Sequence, residues 1–398
     1  MIQRSSFLDA LISFKDKDLI KIVTGIRRCG KSTLFDLFKE YLLANGVSEA
    51  QVVEINFEDA DFGFITNYME LHAYVKSKLV ADKMNYIILD EVQHVENWEK
   101  AVDSLYIKKN CDVYITGSNV YLLSGELSTL LSGRYVEIKM FPLSFAEYMS
   151  AFSKTAMVPE RKFNDYLVNS SFPYTLELCE KKDIRSYLDG IYNSIVLKDV
   201  VKRKKISDVA MLESVIKFMF DNIGNLSSTK SIADTMTSNG RKISTHTVEN
   251  YLSALCDCYI LYKIGRYDIK GKNYLKTGDK YYLVDIALRF YLLGSKNVDM
   301  GRILENIVAL ELLRRGYELG VGKIGGAEVD FVAVNGNGME YYQVALTVRD
   351  KDTLERELGS LDAIPDHNPK FLLTMDNDPV GDYNGIKKLY VIDWLLEK

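Results

Sequence analysis

The stretch LIKIVTGIRRCGKST, residues 19–33, decides the fold of this 398-residue chain. An apolar, β-branched run, Leu19–Thr24, stops at a glycine, and a helix-like segment follows over Thr33–Ala44. Between them, Gly25-Ile26-Arg27-Arg28-Cys29-Gly30-Lys31-Ser32 has the spacing GxxxxGK[ST], followed directly by Thr33. The glycines let the loop curl so that backbone N–H groups converge on phosphate oxygens. A helix opening at Lys31 aims its partial positive end at the same anion. Lys31 then reaches the β- and γ-phosphates of a nucleotide, and the Ser32 hydroxyl ligates Mg²⁺. Chance produces such a match in roughly one or two chains of this length per hundred, given average glycine usage. The strand before and the helix after lower that figure further.

A second element, Tyr86-Ile-Ile-Leu-Asp90-Glu91, is an apolar strand ending in two carboxylates. Asp90 is expected to hold Mg²⁺ through its water shell. Glu91 is expected to polarise the attacking water as a general base or water-positioning group. Neighbouring residues of a strand face opposite sides, so Glu91 must lie where the chain is already turning. Together the two elements predict an ATP site with MgATP as its ligand. Cys29, inside the loop, reads as a spacer, and Arg27 and Arg28 are basic enough to touch phosphate or a partner.

Outward from this site, short β-rich runs alternate with helical stretches to about residue 150. The runs are Leu19–Thr24, Val52–Asn56, Tyr86–Leu89, Val113–Thr116 and Arg134–Met140, with helices expected over Asn67–Ala81 and Glu96–Lys108. This alternation predicts an α/β fold, a parallel sheet with helices on both faces. Residues 144–260 are helical in pattern. SIADTMTSN (231–239) and STHTVENYLSALCDCYI (244–260) read as two helices joined by a glycine-containing turn, with a β-hairpin wing after them, a winged helix-turn-helix. From 301 the pattern is mixed again, with a helix over Arg302–Arg315 and strands near Glu328–Asn335, Glu340–Val348 and Lys370–Thr374. The expected domains are therefore 1–150, 151–300 and 301–398. The length suits two or three domains, since single cores rarely grow past about 250 residues.

Composition narrows the class. A hydrophobic fraction of 47% with 26% charged residues is that of a globular protein, and 6 Pro argue against long disordered tracts. The net charge of −5 demands neither nucleic acid nor an anionic membrane as a partner. Five scattered cysteines form neither a disulfide framework nor paired zinc knuckles. The opening residues lack a signal-peptide core, and no run reaches the ~18 apolar residues of a membrane span. The expected setting is a reducing cytoplasm without membrane attachment.

TGIRRCGKST (24–33), IILDEVQ (87–93), ITGSNVYLLSG (115–125) and LSGRYVEIKMFPLSFAEY (131–148) occur in that order. In these residues the chain resembles the AAA+ ATPases, and more closely a prokaryotic family joining a short AAA domain to a C-terminal domain of unknown function. The resemblance implies ATP hydrolysis. It also implies that Asn119, or Ser118 beside it, senses the γ-phosphate, and that Arg134 is an arginine finger acting on a neighbouring subunit of a homo-oligomer. Each has a plain alternative: Asn119 as a helix cap, Arg134 as a strand-start arginine paired with a surface carboxylate.

The winged helix suggests DNA contact through Arg241, Lys242 and the helix from Ser244. Such modules also serve as packing units, and this helix is thin in basic residues. Lys202-Arg203-Lys204-Lys205 is a denser basic run that also reads as a solvated helix end. The last section resembles the restriction-endonuclease fold of the same family, whose metal nucleases use a helix acid, a strand Asp and a Glu-x-Lys on the next strand. Glu305, Glu328 and Asp330 supply the first parts, but the third reads Gln343-Val344-Ala345. Neutral Gln is a weak Mg²⁺ ligand and Ala cannot orient water. The expected C-terminal domain is thus a degenerate, nuclease-like fold used for binding, with an ATP-dependent nuclease and a non-hydrolysing ATP-dependent switch as the rival readings.

Overall fold

The computed structural model describes residues 2–117, 133–152, 158–275, 278–295 and 298–397. They form two compact units, Met1–Pro142 with Asp257–Tyr259, and Leu143–Cys256 with Ile260–Lys398.

The first unit opens with helix α1 (Ser5–Ser13) and strand β1 (Ile20–Thr24), followed by α2 (Lys31–Ala44) and β2 (Val52–Asn56). Then come α3 (Tyr68–Lys78), β3 (Asn85–Asp90), α4 (Trp98–Tyr106), β4 (Cys111–Gly117) and β5 (Tyr135–Lys139). The strands make one parallel sheet in the order β2-β3-β4-β1-β5. This is the α/β arrangement that the alternating pattern predicts. Every residue of β1 and β3 is buried, whereas the edge strand β2 alternates between buried and half-buried. That is why IKIVT and NYIILD run apolar without a polar period, as strands covered on both faces do. Ile22, Ile87, Leu89 and Ile115 pack against Leu71, Val75, Val102 and Leu105 of the flanking helices. Each such side chain contributes ~1.5–3 kcal/mol by leaving water.

Parallel pairing places the C-terminal ends of β1, β3 and β4 side by side, and in open α/β sheets ligands bind outside those ends. Towards the opposite end the sheet buries a polar cluster. Lys21 on β1 donates to Asp112 on β4 and, at 2.8 Å, to the Lys17 carbonyl. Tyr114 and the Asp16 N–H complete the Asp112 carboxylate at 2.7 and 2.9 Å. Burial nevertheless pushes Lys21 down and Asp112 up in pKa, outweighing their mutual attraction.

The second unit begins with helices Phe145–Ser150, Pro159–Asn169, Lys181–Ile191 and Val209–Asp221. Helices Thr229–Ser238 and Thr245–Asp257 follow, then strands β6 (Leu261–Ile264), β7 (Arg266–Asp268), β8 (Asn273–Tyr274) and β9 (Lys280–Leu283). β6 and β9 pair antiparallel, with Leu261 opposite Leu283. Helix Met300–Arg314 leads into β10 (Glu318–Ile324), β11 (Ala327–Asn335), β12 (Gly338–Ala345), β13 (Lys370–Thr374), β14 (Gly381–Tyr383) and β15 (Ile386–Tyr390). These make a mixed sheet ordered β14-β15-β13-β12-β11-β10-β7-β8. β7 and β8 come from before residue 300 and the other strands from after it, so the chain on both sides belongs to one unit. Asp285 ties the helical part together: its carboxylate accepts from Ser170 at 3.0 Å, from the Ser171 N–H at 2.6 Å and from the Ala287 N–H at 2.9 Å.

Candidate functional site

The P-loop leaves β1 at Thr24 and enters α2 at Lys31. Gly25 has φ +144°, and a Cβ built there would lie 2.2 Å from the Met140 carbonyl oxygen, so only glycine fits. Gly30 has φ 101° and Arg28 φ 64°, both left-handed. Ile26 and Cys29 are buried, and Arg28 and Ser32 are exposed. Arg27 approaches Glu58 at 3.9 Å. Burial pushes the Cys29 thiol up, away from the thiolate form.

Lys31 bends back over the loop. Its ammonium donates to the carbonyls of Gly25 at 3.2 Å and Ile26 at 3.4 Å and lies 3.5 Å from Glu91 Oε1. Ser32, in the first turn of α2, donates to Asp90 Oδ2 at 2.6 Å. On the other side of Asp90 is Thr116 of β4, whose hydroxyl donates to Asp90 Oδ1 and accepts the Glu91 N–H at 2.8 Å. Thr116 is fully buried. Thr116 lies inside the stretch ITGSNVYLLSG, but the sequence assigns it no role, because β4 becomes the neighbour of β3 only through the topology.

β3 ends at Asp90, and Glu91 adopts φ 55°. A left-handed non-glycine residue is uncommon, and here it breaks the strand's alternation. Glu91 can therefore approach Lys31 although Asp90, next to it, meets Ser32. Gln93 Nε2 donates to the Glu91 carboxylate. Sequence reasoning also missed Arg4, a buried arginine that donates to the Cys29 carbonyl at 3.3 Å and to the Phe141 carbonyl.

These groups suit a magnesium nucleotide. The Ser32 hydroxyl and the Asp90 carboxylate offer adjoining hard oxygens, and Mg²⁺ is commonly held by one or two protein oxygens plus substrate phosphates. Among the described residues, no three of His, Cys, Asp or Glu could hold a metal by themselves. Thr33 lies within α2 behind Ser32. Ser118 and Asn119 lie outside the described residues. Arg134 stands elsewhere: its carbonyl accepts the Ile20 N–H at the start of β1, the edge away from the loop. Its guanidinium pairs with Asp103 at 2.8 Å and is 5.8 Å from the Tyr106 ring centroid.

The second unit carries another charged cluster. Lys280 of β9 is buried with its ammonium 2.7 Å from Glu305, 2.9 Å from Glu328 and 3.6 Å from Asp330. Tyr282 donates to Glu305 at 2.6 Å, and the Val344 N–H to Asp330 at 2.9 Å. Gln343 accepts from the Asp330 N–H at 3.3 Å and donates to Glu357 at 2.7 Å. Burial and the charge of Glu305 hold the Asp330 carboxyl above the usual range, with Lys280 pulling the other way. The topology thus brings together the acids expected from the sequence, and adds a lysine from an element that sequence reasoning did not connect with them. Arg241 and Lys242 are exposed beside the helix Thr245–Asp257, and Arg241 donates to the Ala210 carbonyl at 3.2 Å.

Comparison with known proteins bears on the family and the fold. Residues 17–149 match a family described as an AAA domain, and residues 160–299 match a Domain of unknown function (DUF8612). An uncharacterized protein of Haemophilus influenzae is 39% identical over 400 residues, covering 100% of this chain and 99% of the relative. An uncharacterized protein of Methanocaldococcus jannaschii is 31% identical, covering 94% of this chain and 85% of the relative. The solved Walker-type ATPase of Pyrococcus abyssi covers 73% of this chain and 96% of its own, with a TM-score of 0.50 at 14% identity, a likeness of fold. No helix among the described residues is long and apolar enough to cross a membrane. The P-loop, its strand context and full-length relatives together place the chain in the family of P-loop ATPases that joins an N-terminal AAA domain to a C-terminal domain of unknown function.

Proposed function

We propose that this protein binds MgATP at the P-loop and hydrolyses it to drive a conformational or assembly cycle. The observation that carries this reading is the bonded constellation Ser32–Asp90–Thr116–Glu91 beside Lys31. Ser32 and Asp90 would hold Mg²⁺, which when bound would supply charge neutralisation at the phosphates. The amides of residues 25–32 cradle the phosphates, and Lys31 reaches the β- and γ-oxygens. Ser32 and Asp90 hold the cation side of the nucleotide, with Asp90 fixed by Thr116. Glu91 orients a water molecule and takes its proton as the new P–O bond forms and the bond to the β-phosphate oxygen breaks. Asn119 keeps the sensor role assigned to it by family resemblance.

Arg134 acts, in this reading, on the nucleotide of a neighbouring subunit in a homo-oligomer. Its pair with Asp103 is a surface one, worth about 0–1 kcal/mol, so a neighbour could displace it at little cost.

The C-terminal half carries the output as a binding module for DNA or a protein partner, with Arg241, Lys242 and the helix Thr245–Asp257 as the DNA-facing candidates. Cleavage is disfavoured because the Lys280 ammonium stands among the three acids, while Gln343 and Ala345 replace an acid and a lysine. The test is calorimetric titration of the full chain with ATP, with and without Mg²⁺. Binding that Lys31→Ala abolishes and Ser32→Ala makes independent of Mg²⁺ is expected. Binding unaffected by Lys31→Ala places the nucleotide elsewhere and overturns the reading.

A further inference from the structure

The shape of the P-loop depends on a residue well before it. Arg4 has a left-handed backbone (φ 47°) immediately ahead of α1, and its buried side chain lies 5.0 Å from the Phe7 ring centroid. One Nη donates to the Cys29 carbonyl at 3.3 Å, inside the P-loop, and the other to the Phe141 carbonyl, just past β5. The same two segments meet again without Arg4. The Met140 N–H donates to the Thr24 carbonyl at 2.7 Å, and the Met140 carbonyl blocks any Cβ on Gly25. The charge of Arg4 reaches into the loop, since together with Lys31 it pulls the Cys29 thiol down against the larger upward push of burial.

A trans peptide sends its C=O and the following N–H in opposite directions. A Cys29 carbonyl held by Arg4 therefore turns the Gly30 N–H away from Arg4. A buried carbonyl without a donor costs about 1–3 kcal/mol, so the loop pays if this peptide flips. A planar guanidinium can fork to two carbonyls at once, whereas an ammonium acts as a point charge.

We infer that Arg4 is a positioning residue for the nucleotide: by tying the Cys29 carbonyl to the Phe141 carbonyl, it keeps the P-loop amides aimed at the phosphates without touching them. The inference rests on the ATP reading of the loop. It also makes the chain leaving β5, which ends the first unit at Pro142, follow the conformation of the P-loop.

The experiment compares the full native chain with Arg4→Gln, Arg4→Lys and Lys31→Ala, measuring MgATP affinity, KM and kcat for ATP, and melting temperature with and without MgATP. Arg4→Gln is expected to raise Kd and KM together by about tenfold with kcat little changed, the mark of lost uniform binding. It should also shrink the MgATP-induced rise in melting temperature, which a merely structural role would leave in place. Arg4→Lys should recover part of the affinity. The inference is overturned if Arg4→Gln binds MgATP as the native chain does while Lys31→Ala does not. Should Arg4→Gln fail to fold, Arg4→Lys decides, and a native-like Kd in that variant overturns the inference. A native chain that binds no MgATP brings down the ATP reading itself, and this one with it.

Discussion

Ser32 donates its hydroxyl to Asp90 at 2.6 Å across 58 residues of sequence, joining the end of the P-loop to the end of the neighbouring acidic strand. One carboxylate thus serves two hydroxyls, since Thr116 donates to its other oxygen. The orientation of Asp90 is set by hydroxyls from two elements, α2 and β4, and the consequences can be measured.

Thr116→Val should keep the shape of the site and remove its bonds. The variant leaves an oxygen of buried Asp90 and the Glu91 N–H without their partner. A loss of about 1–3 kcal/mol is expected from an unsatisfied buried group, read by urea denaturation without nucleotide. Turnover should fall more than ATP affinity, because Glu91 loses its anchor and Lys31 keeps its place.

Gly25→Ala should abolish nucleotide binding. The new methyl carbon would lie 2.2 Å from the Met140 carbonyl oxygen, at φ +144°. Backbone strain of this kind costs of order 1–3 kcal/mol where it is tolerated, so the denaturation midpoint should fall as ATP binding is lost. Gly46→Ala is the comparison: it shares a positive φ of 87° but meets nothing within 4 Å, and should leave ATP binding intact.

Lys21→Met should make stability depend on pH in a definite direction. Burial already pushes Asp112 upward, and without Lys21 that push is unopposed by its main partner. A carboxyl whose folded pKa lies above its unfolded value stabilises most below the unfolded value and loses that contribution as pH rises through the folded one. The variant should therefore lose stability from the ordinary carboxylate range upward, by about 3–5 kcal/mol once the unpaired charge forms. Urea denaturation at a series of pH values reads this, and Lys21→Met with Asp112→Asn should flatten the profile.

Lys280 yields a prediction about the C-terminal half. Removing the ammonium from three carboxylates in Lys280→Met should destabilise the second unit by about 3–5 kcal/mol, as breaking a buried pair does. The native chain with Mg²⁺ should nick plasmid DNA no faster than Asp330→Ala does. Nicking by the native chain that Asp330→Ala lacks would make the C-terminal domain a nuclease.

The legible parts of the fold were those written locally. GIRRCGKS and YIILDE keep their chemistry within a few consecutive residues, and β1 and β3 run apolar because helices cover both faces. Thr116, Arg4 and Lys280 were illegible for one shared reason: each reaches its partners through strand order or a distant turn, which no spacing records. β10 (ELGVGKI) escaped notice for another. A Cβ on Gly322 would come 2.9 Å from the Val329 Cβ, and one on Gly320 2.9 Å from the Tyr267 Cβ. Glycines there permit close strand packing while lowering β-propensity. Glu91 lies between the two cases, since its motif was plain but the left-handed turn that frees it from the strand's alternation appears only in the fold.

The central claim is ATP turnover at this site, and phosphate release from MgATP by the full chain tests it most directly, run with and without DNA beside Lys31→Ala and Glu91→Gln. The account predicts turnover that both variants lose, with Glu91→Gln still binding ATP. Native protein that binds MgATP but releases no phosphate under either condition, or turnover that survives Glu91→Gln, would contradict it.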